Sequence, residues 1–279
     1  MPELPEAEVV ARQLRHRLLG AVLTDCRVGR SDIVREGLPT LSWYREACLT
    51  SVQRHGKCVA LAFTRGDETR YLVAELGMTG LLLFPPLAPS FQKHTHVVMT
   101  FKGGRESELR YWNPRRFGRL SLFDGAGLAR FLAKRFGLDP LQATWPEFRA
   151  LLAGCRGRIK ALLMHQQKIA GIGNIYASEI LYRAGIHPHR LASRLPERTV
   201  RRLYEEIRKV LPEAIRDGGS SVRDFFAPDG TEGRYKCRHR VYGKAGRPCP
   251  AAGCGATIRR VVDSSKRSSF LCPRCQRKP

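Results

Sequence analysis

Four of the nine cysteines in this 279-residue chain fall in two close pairs, Cys249-Pro-Ala-Ala-Gly-Cys254 and Cys272-Pro-Arg-Cys275, with 17 residues between them. Thiolates presented in pairs on two short turns suit a tetrahedral ion, zinc above all. The intervening Thr257–Val262 and Ser268–Leu271 runs would then form a short hairpin, a zinc ribbon. The first pair encloses four residues, two more than the compact form of such a turn. Cys237 and His239 are substitute ligands by type, but they lie in a Lys/Arg-rich stretch and are not expected to bind; free thiols are the plain alternative. No apolar core is visible in this segment, so the ion is expected to supply its folding energy. Cys26, Cys48, Cys58 and Cys155 are scattered among apolar neighbours, as buried thiols would be, and the odd total does not suit a secreted disulfide framework.

A second segment able to do chemistry is Ile169-Ala-Gly-Ile-Gly-Asn-Ile-Tyr176. Gly171 and Gly173 permit tight turning, and Asn174 is placed to cap a following helix. Amides exposed at a helix start beside a glycine turn suit a phosphate. An ordinary connection between helices has the same spacing.

The charge balance speaks about partners. The chain has 49 Lys and Arg against 25 Asp and Glu, a formal net charge of +24, which points to a polyanion. The excess is uneven: residues 234–279 hold 13 basic residues and a single acid, Asp263. A composition 43% apolar argues for a folded protein. The longest apolar stretch, Leu81 to Ala88, is short and contains Pro85 and Pro86, which excludes a membrane span there. Acids near the N-terminus stand where a secretion signal would carry Lys or Arg, so an intracellular chain is expected.

The elements that must position these groups fall into an α+β multidomain pattern. Residues 6–19 have helical spacing, with Gly20 as its stop. Residues 21–123 read as strands: Val59–Phe63 and Tyr71–Leu76 flank one turn, Val97–Phe101 and Leu109–Tyr111 another. An antiparallel β-sandwich with flanking helices is expected. Residues 124–140 read as a passage, and helices follow at about 145–153, 158–167, 173–184 and 197–216. The division expected is 1–137, 138–233 and 234–279.

Six spaced motifs then carry a resemblance over residues 2–277: Pro2-Glu3-Leu4-Pro5-Glu6, Lys57 in Arg-His-Gly-Lys, Leu76-Gly-Met-Thr-Gly80, Pro114-Arg-Arg-Phe-Gly118, Ala170-Gly-Ile-Gly-Asn-Ile-Tyr-Ala-Ser-Glu179, and Val241-Tyr-Gly with the cysteine tail. In this order they closely resemble the bacterial formamidopyrimidine-DNA glycosylases. The resemblance implies a catalytic N-terminal β-sandwich, a helix–two-turn–helix domain and a terminal zinc ribbon with one structural Zn2+. It also implies excision of oxidised purines such as 8-oxoguanine from double-stranded DNA, followed by strand cleavage at the abasic site, in a bacterial cytoplasm where the protein would associate with the nucleoid.

The residues suit that chemistry. Once Met1 is removed, Pro2 presents a secondary amine able to attack a sugar C1′, and α-amino groups titrate near about 7.7–8.0, far below lysine, so an appreciable fraction is unprotonated at neutral pH. Glu3 is expected as general acid/base and Glu6 as active-site support, although a first-turn acid also suits the helix dipole. Lys57 matches a residue contacting the phosphate beside the lesion. A glycosylase must extrude its target nucleotide, and Met78, Arg115 and Phe117 match residues that fill the vacated stack. Lys160, Asn174 and Arg267 match phosphate contacts. The segment Asp217 to Gly233 resembles a loop folding over 8-oxoguanine. Glu75, Asn113 and His165 depart from the family pattern, as does the longer first cysteine turn, which puts affinity and lesion preference in question. Two alternatives remain, an endonuclease VIII-like enzyme for oxidised pyrimidines and a non-catalytic damaged-DNA-binding protein. A monomer is expected.

Overall fold

The structure is a computed structural model and describes residues 2–222, 225–262 and 267–277. Its packing divides the chain into two compact units, residues 1–134 with 215–236, and residues 135–214 with 237–279. The segment 215–236 thus joins the first unit although it follows the helices, and the cysteine tail joins the helical unit.

The first unit opens with α1 (Leu4–Leu18), whose Leu4, Ala7, Val10, Ala11, Leu14 and Leu18 are all buried. Gly20, just past the helix end, has φ +85°, a left-handed conformation that glycine adopts without strain. Nine strands follow: β1 (Val22–Val28), β2 (Val34–Glu36), β3 (Ala47–His55), β4 (Cys58–Arg65), β5 (Glu68–Glu75), β6 (Leu81–Leu83), β7 (Thr95–Lys102), β8 (Glu108–Trp112) and β9 (Arg119–Phe123). They form one ladder in the order β2-β9-β5-β4-β3-β1-β7-β8-β6, antiparallel except at β2–β9. β1 and β3 pair over only two residues, Val22↔Cys48 and Leu23↔Ala47. In a flat sheet β4 and β7 would lie roughly 14 Å apart, at about 4.8 Å per strand. Phe63 of β4 and Phe101 of β7 nonetheless stack with centroids 6.4 Å apart, so the ladder bends over at the β1–β3 corner. The expected sandwich is built from one folded sheet, with Leu23, Leu49, Leu61, Phe63, Met99 and Tyr111 among its buried core.

Residues expected as a passage hold a helix, α2 (Gly125–Arg135). Its glycine-rich first turn hid it: Gly127 N–H donates to Asp124 Oδ1 (2.6 Å), and Phe131 packs on Phe123 at 5.2 Å.

The second unit holds α3 (Trp145–Ala153), α4 (Ile159–Leu163), α5 (Asn174–Arg183) and most of α6 (Glu197–Arg216). Three of them closely follow the expected spans. α4 ends four residues early, because Gln166 turns back to pin the glycine segment: its amide donates to Met164 O and Ile172 O, and its Oε1 accepts from Gly171 N–H. The ribbon strands β10 (Arg259–Val262) and β11 (Ser268–Leu271) pair antiparallel, Arg259 opposite Leu271. Contrary to the expectation of a segment without apolar support, the ribbon shares a buried cluster with α5 through Tyr182, Val241, Ile258 and the cysteines. Among the described residues, no helix is long and apolar enough to cross a membrane.

Candidate active site and nucleic-acid interface

In the first unit the chemistry-bearing residues start at the head of α1. Pro2 is buried, and so are Glu3 and Glu6, at 2% and 1% exposure. Two carboxylates this enclosed demand hydrogen-bond donors. Glu6 finds one within its own helix turn, where Glu3 N–H donates to Oε2 (2.7 Å). A second comes from far along the chain, where Ser220 N–H donates to Oε1 (2.6 Å). The preceding Gly219 has φ +84°, and a Cβ there would lie 2.8 Å from Glu6 Oε1. The Asp217–Gly233 segment, of which Arg223 and Asp224 lie outside the described residues, is held to α1 again further along. Gln13 Nε2 donates to Asp229 Oδ2 (2.9 Å), and Asp229 N–H donates back to Gln13 Oε1 (3.0 Å). Burial of the Asp229 carboxyl opposes its ionisation, but hydrogen bonds from Thr231 and Gln13 outweigh that and lower its pKa.

Lys57 stands in the turn between β3 and β4, half-buried. That turn is tied to α1 by Arg54, whose side chain is 5% exposed: it donates to Glu8 Oε2 (3.1 Å) and to Gly56 O (3.1 Å). This pair went unnoticed in the sequence, where Arg54 is one basic residue among many.

Met78 and Phe117 are 39% and 58% exposed at the tips of two adjoining loops, and the Arg115 guanidinium lies over the Phe117 ring at 4.9 Å. The structure brings these three expected stack-filling residues together. Beneath them Glu75 is no free acid: its carboxylate lies 3.8 Å from Arg35 Nη1.

In the second unit, Gly173 and not Asn174 caps α5; Asn174 is the first helical residue, and its buried Oδ1 has no hydrogen-bond partner. Lys160 is buried, and its ammonium donates to Ser268 O and Ser269 Oγ of β11, both at 2.8 Å. The exposed Arg267, next in sequence to those serines, joins Lys160, Met164, His165 and Gln166 around a cleft of about 400 Å³. Glu179 closes one of the six motifs, but the sequence assigned it no task. Fully buried on α5, it accepts N–H bonds from Arg240 (2.8 Å), Val241 (3.0 Å) and Tyr242 (2.8 Å). A lone acid in the otherwise apolar run Ile180-Leu-Tyr with Ile175-Tyr-Ala before it was the available signal.

The sulfurs of Cys249, Cys254, Cys272 and Cys275 all lie within 4.8 Å of one another. Neighbouring separations of 3.5 to 3.8 Å fit the edge of a tetrahedron. Zinc–sulfur bonds of about 2.3 Å require edges of about 3.8 Å. The Tyr182 hydroxyl, 3.3 Å from Cys249 Sγ, is placed to donate to a bound thiolate. Cys237 is exposed and outside the group, and His239 packs on Tyr242 instead. The four thiolates fit one structural zinc ion.

Comparison with known proteins agrees with this geometry. The family models of the formamidopyrimidine-DNA glycosylase N-terminal domain and H2TH domain match residues 1–120 and 136–226, and that of a zinc finger found in FPG and IleRS matches 246–277. A formamidopyrimidine-DNA glycosylase of Solibacter usitatus is 40% identical over 100% of both chains, and one of Thermomicrobium roseum 39% identical over 99% of both. The MutM (Fpg) structure from Thermus thermophilus superposes with a TM-score of 0.85 at 36% identity, covering 100% of both chains. The Lactococcus lactis Fpg in complex with DNA containing an abasic site gives 0.84 at 33% identity, covering 99% of this chain and 100% of that one. The chain belongs to the formamidopyrimidine-DNA glycosylase family.

Proposed function

We propose that this protein is a bifunctional DNA glycosylase and abasic-site lyase that excises oxidised purines from duplex DNA. The observation that carries the reading is the head of α1, where Pro2 is followed by Glu3 and, one helix turn on, by Glu6, both sealed from water and Glu6 bonded to the Asp217–Gly233 segment. The names of the relatives and the DNA bound to the Lactococcus protein support the same reading.

With Met1 removed, the Pro2 nitrogen attacks C1′ of the damaged nucleotide; the base departs with the glycosidic electron pair and takes up the proton that the Pro2 nitrogen loses. Glu3 protonates the sugar ring oxygen as the ring opens, leaving an iminium between Pro2 and C1′. The iminium draws electrons from the C2′–H bond, so loss of that proton expels the 3′ phosphate and a second elimination expels the 5′ phosphate. Lys57 binds the phosphate beside the lesion. Lys160, Asn174 and Arg267 hold the backbone, Lys160 through its position against β11, and Met78, Arg115 and Phe117 fill the stack. Bound by Cys249, Cys254, Cys272 and Cys275, zinc would hold the ribbon's two turns together.

The test is cleavage of duplexes carrying 8-oxoguanine opposite cytosine, thymine glycol or an abasic site, with borohydride added in parallel and the protein mass taken. Cutting at 8-oxoguanine with covalent trapping through Pro2 is expected. Cutting at thymine glycol alone would make it an enzyme of oxidised pyrimidines, and absence of trapping on every substrate with Met1 removed would leave a DNA-binding scaffold.

A further inference from the structure

The two loops bearing the exposed Met78 and Phe117 are packed backbone to backbone. A Cβ on Gly77 would collide with the Gly118 amide, and one on Gly118 with Glu75 O and the Tyr111 hydroxyl. At their junction sits Asn113, a polar side chain with 0% exposure. Its Nδ2 donates to Gly118 O (3.1 Å) and to Tyr111 Oη (3.1 Å), while its Oδ1 accepts from Thr79 Oγ1 (3.4 Å). Gly118 O can only accept, which fixes the amide's orientation. Tyr111 in turn donates to Glu75 O (3.2 Å), at the root of the Met78 loop. The Asn113 backbone is equally engaged: its N–H donates to His94 O (2.9 Å), and its carbonyl accepts from His96 Nε2 (3.1 Å) and Arg116 N–H (3.2 Å). Arg116 is held at φ +51°, a left-handed conformation that a non-glycine residue keeps only where its surroundings over-determine it.

We infer that Asn113 is a positioning residue for opening the duplex, its buried amide locking the Leu76–Gly80 and Asn113–Gly118 loops into one preorganised wedge that carries Met78, Arg115 and Phe117. The inference rests on the glycosylase reading above. It makes the loss selective. A wedge ordered before binding spares that ordering cost when a base must be extruded, and contributes little where no stack has to be opened. A leucine at this position, close in size, would leave Gly118 O and the Tyr111 hydroxyl without their donor.

The experiment compares wild type, Asn113→Ala and Asn113→Leu on two substrates under single-turnover conditions: a duplex with one 8-oxoguanine opposite cytosine, and a single-stranded oligonucleotide with one abasic site. Thermal unfolding is followed alongside, and Asn113→Leu, which is close in size and fills the buried site, serves if the alanine variant does not fold. The expected result is a duplex rate constant lowered about 30-fold or more, with strand cleavage at the single-stranded abasic site lowered no more than about 3-fold. In a Met78→Ala background, Asn113→Ala should then add little, since both changes remove the same wedge. Equal losses on both substrates, no loss on the duplex, or full additivity with Met78→Ala would overturn the inference. Wild-type protein that cuts neither substrate would instead overturn the glycosylase reading.

Discussion

Glu6 in the first unit and Glu179 in the second are both all but sealed from water, and each accepts backbone N–H bonds from a segment far along the chain. The settings differ. Glu179 receives three donors from consecutive residues, Arg240 to Tyr242, which closes a nest around its carboxylate and fastens the lead-in to the ribbon. Glu6 receives one donor from its own helix and one from Ser220, and the approach is close only because Gly219 has no side chain. One acid makes a permanent anchor; the other ties a loop to the head of α1 through the Ser220 N–H bond. A fold that must admit a nucleotide needs the second kind near its chemistry and the first kind elsewhere.

The sharpest way to break this comparison is to remove the zinc. Structural zinc sites supply on the order of 10 kcal/mol of folding energy. Chelation or Cys272→Ser should therefore unfold the ribbon and abolish tight DNA binding, while the β-sheet unit keeps its thermal transition. Because Tyr182 and Ile258 share the cluster with the cysteines, the apo ribbon should retain contact with α5, seen as partial hydrogen-exchange protection around Val241. Complete loss of that protection would show the metal to be the ribbon's sole support.

Next in size is Glu179→Ala, which leaves three N–H groups without their acceptor. At about 1–3 kcal/mol for each buried donor left unmade, a loss of at least about 3 kcal/mol is expected. Thermal unfolding checks it, and Glu179→Gln should recover part of the loss by accepting on one oxygen. An unchanged melting temperature would mean that the nest is filled by water.

How much of this was legible beforehand differs between the two anchors and the metal site. The cysteines announce themselves because their ligands are paired within a few residues, and the α1, α3, α5 and α6 spans follow from apolar periodicity. Glu179 and Glu6 have partners 61 to 63 and 214 residues away, so nothing local shows what they bind. Asn113 is readable only as a departure from the family pattern; its task depends on the meeting of two loops, Asn113 reaching Thr79 34 residues away. α2 stayed hidden because helical propensity is poor in Gly-Ala-Gly, and its stability comes from Asp124 and the Phe123–Phe131 contact.

On the other side of the comparison, Gly219→Ala should loosen the loop without touching the sheet. A left-handed alanine costs about 1–2 kcal/mol, and its methyl would push directly on Glu6 Oε1. Hydrogen exchange at Ser220 and Tyr235 should accelerate, the β3–β4–β5 ladder should stay protected, and excision should fall through a lower rate constant with DNA affinity kept. A loss of affinity without loss of rate would move the loop's role from chemistry to binding.

The smallest expected effect concerns the loop's second tie, where Gln13 and Asp229 exchange two hydrogen bonds. Hydrogen bonds to its ionised form, from Thr231 and Gln13, hold the Asp229 pKa below its ordinary value in spite of partial burial. A folded-state pKa below the unfolded one makes the contribution fully present above the unfolded pKa of about 3.9, and lost as pH falls through the folded value. Acidification from pH 6 should therefore leave the loop docked until the carboxylate range is passed, and then release its 228–231 end. The β3–β4 ladder, held by backbone hydrogen bonds, supplies an internal reference on the same exchange map. In Asp229→Asn the amide can still accept from Thr231 on one side, but its NH2 cannot accept from Gln13 Nε2, so the bidentate pair is halved at every pH. Exchange at residues 229–231 should then be faster at neutral pH and show no further step on acidification. A step that persists in Asp229→Asn would assign the acid sensitivity to another carboxylate and leave the Gln13 pair a static contact.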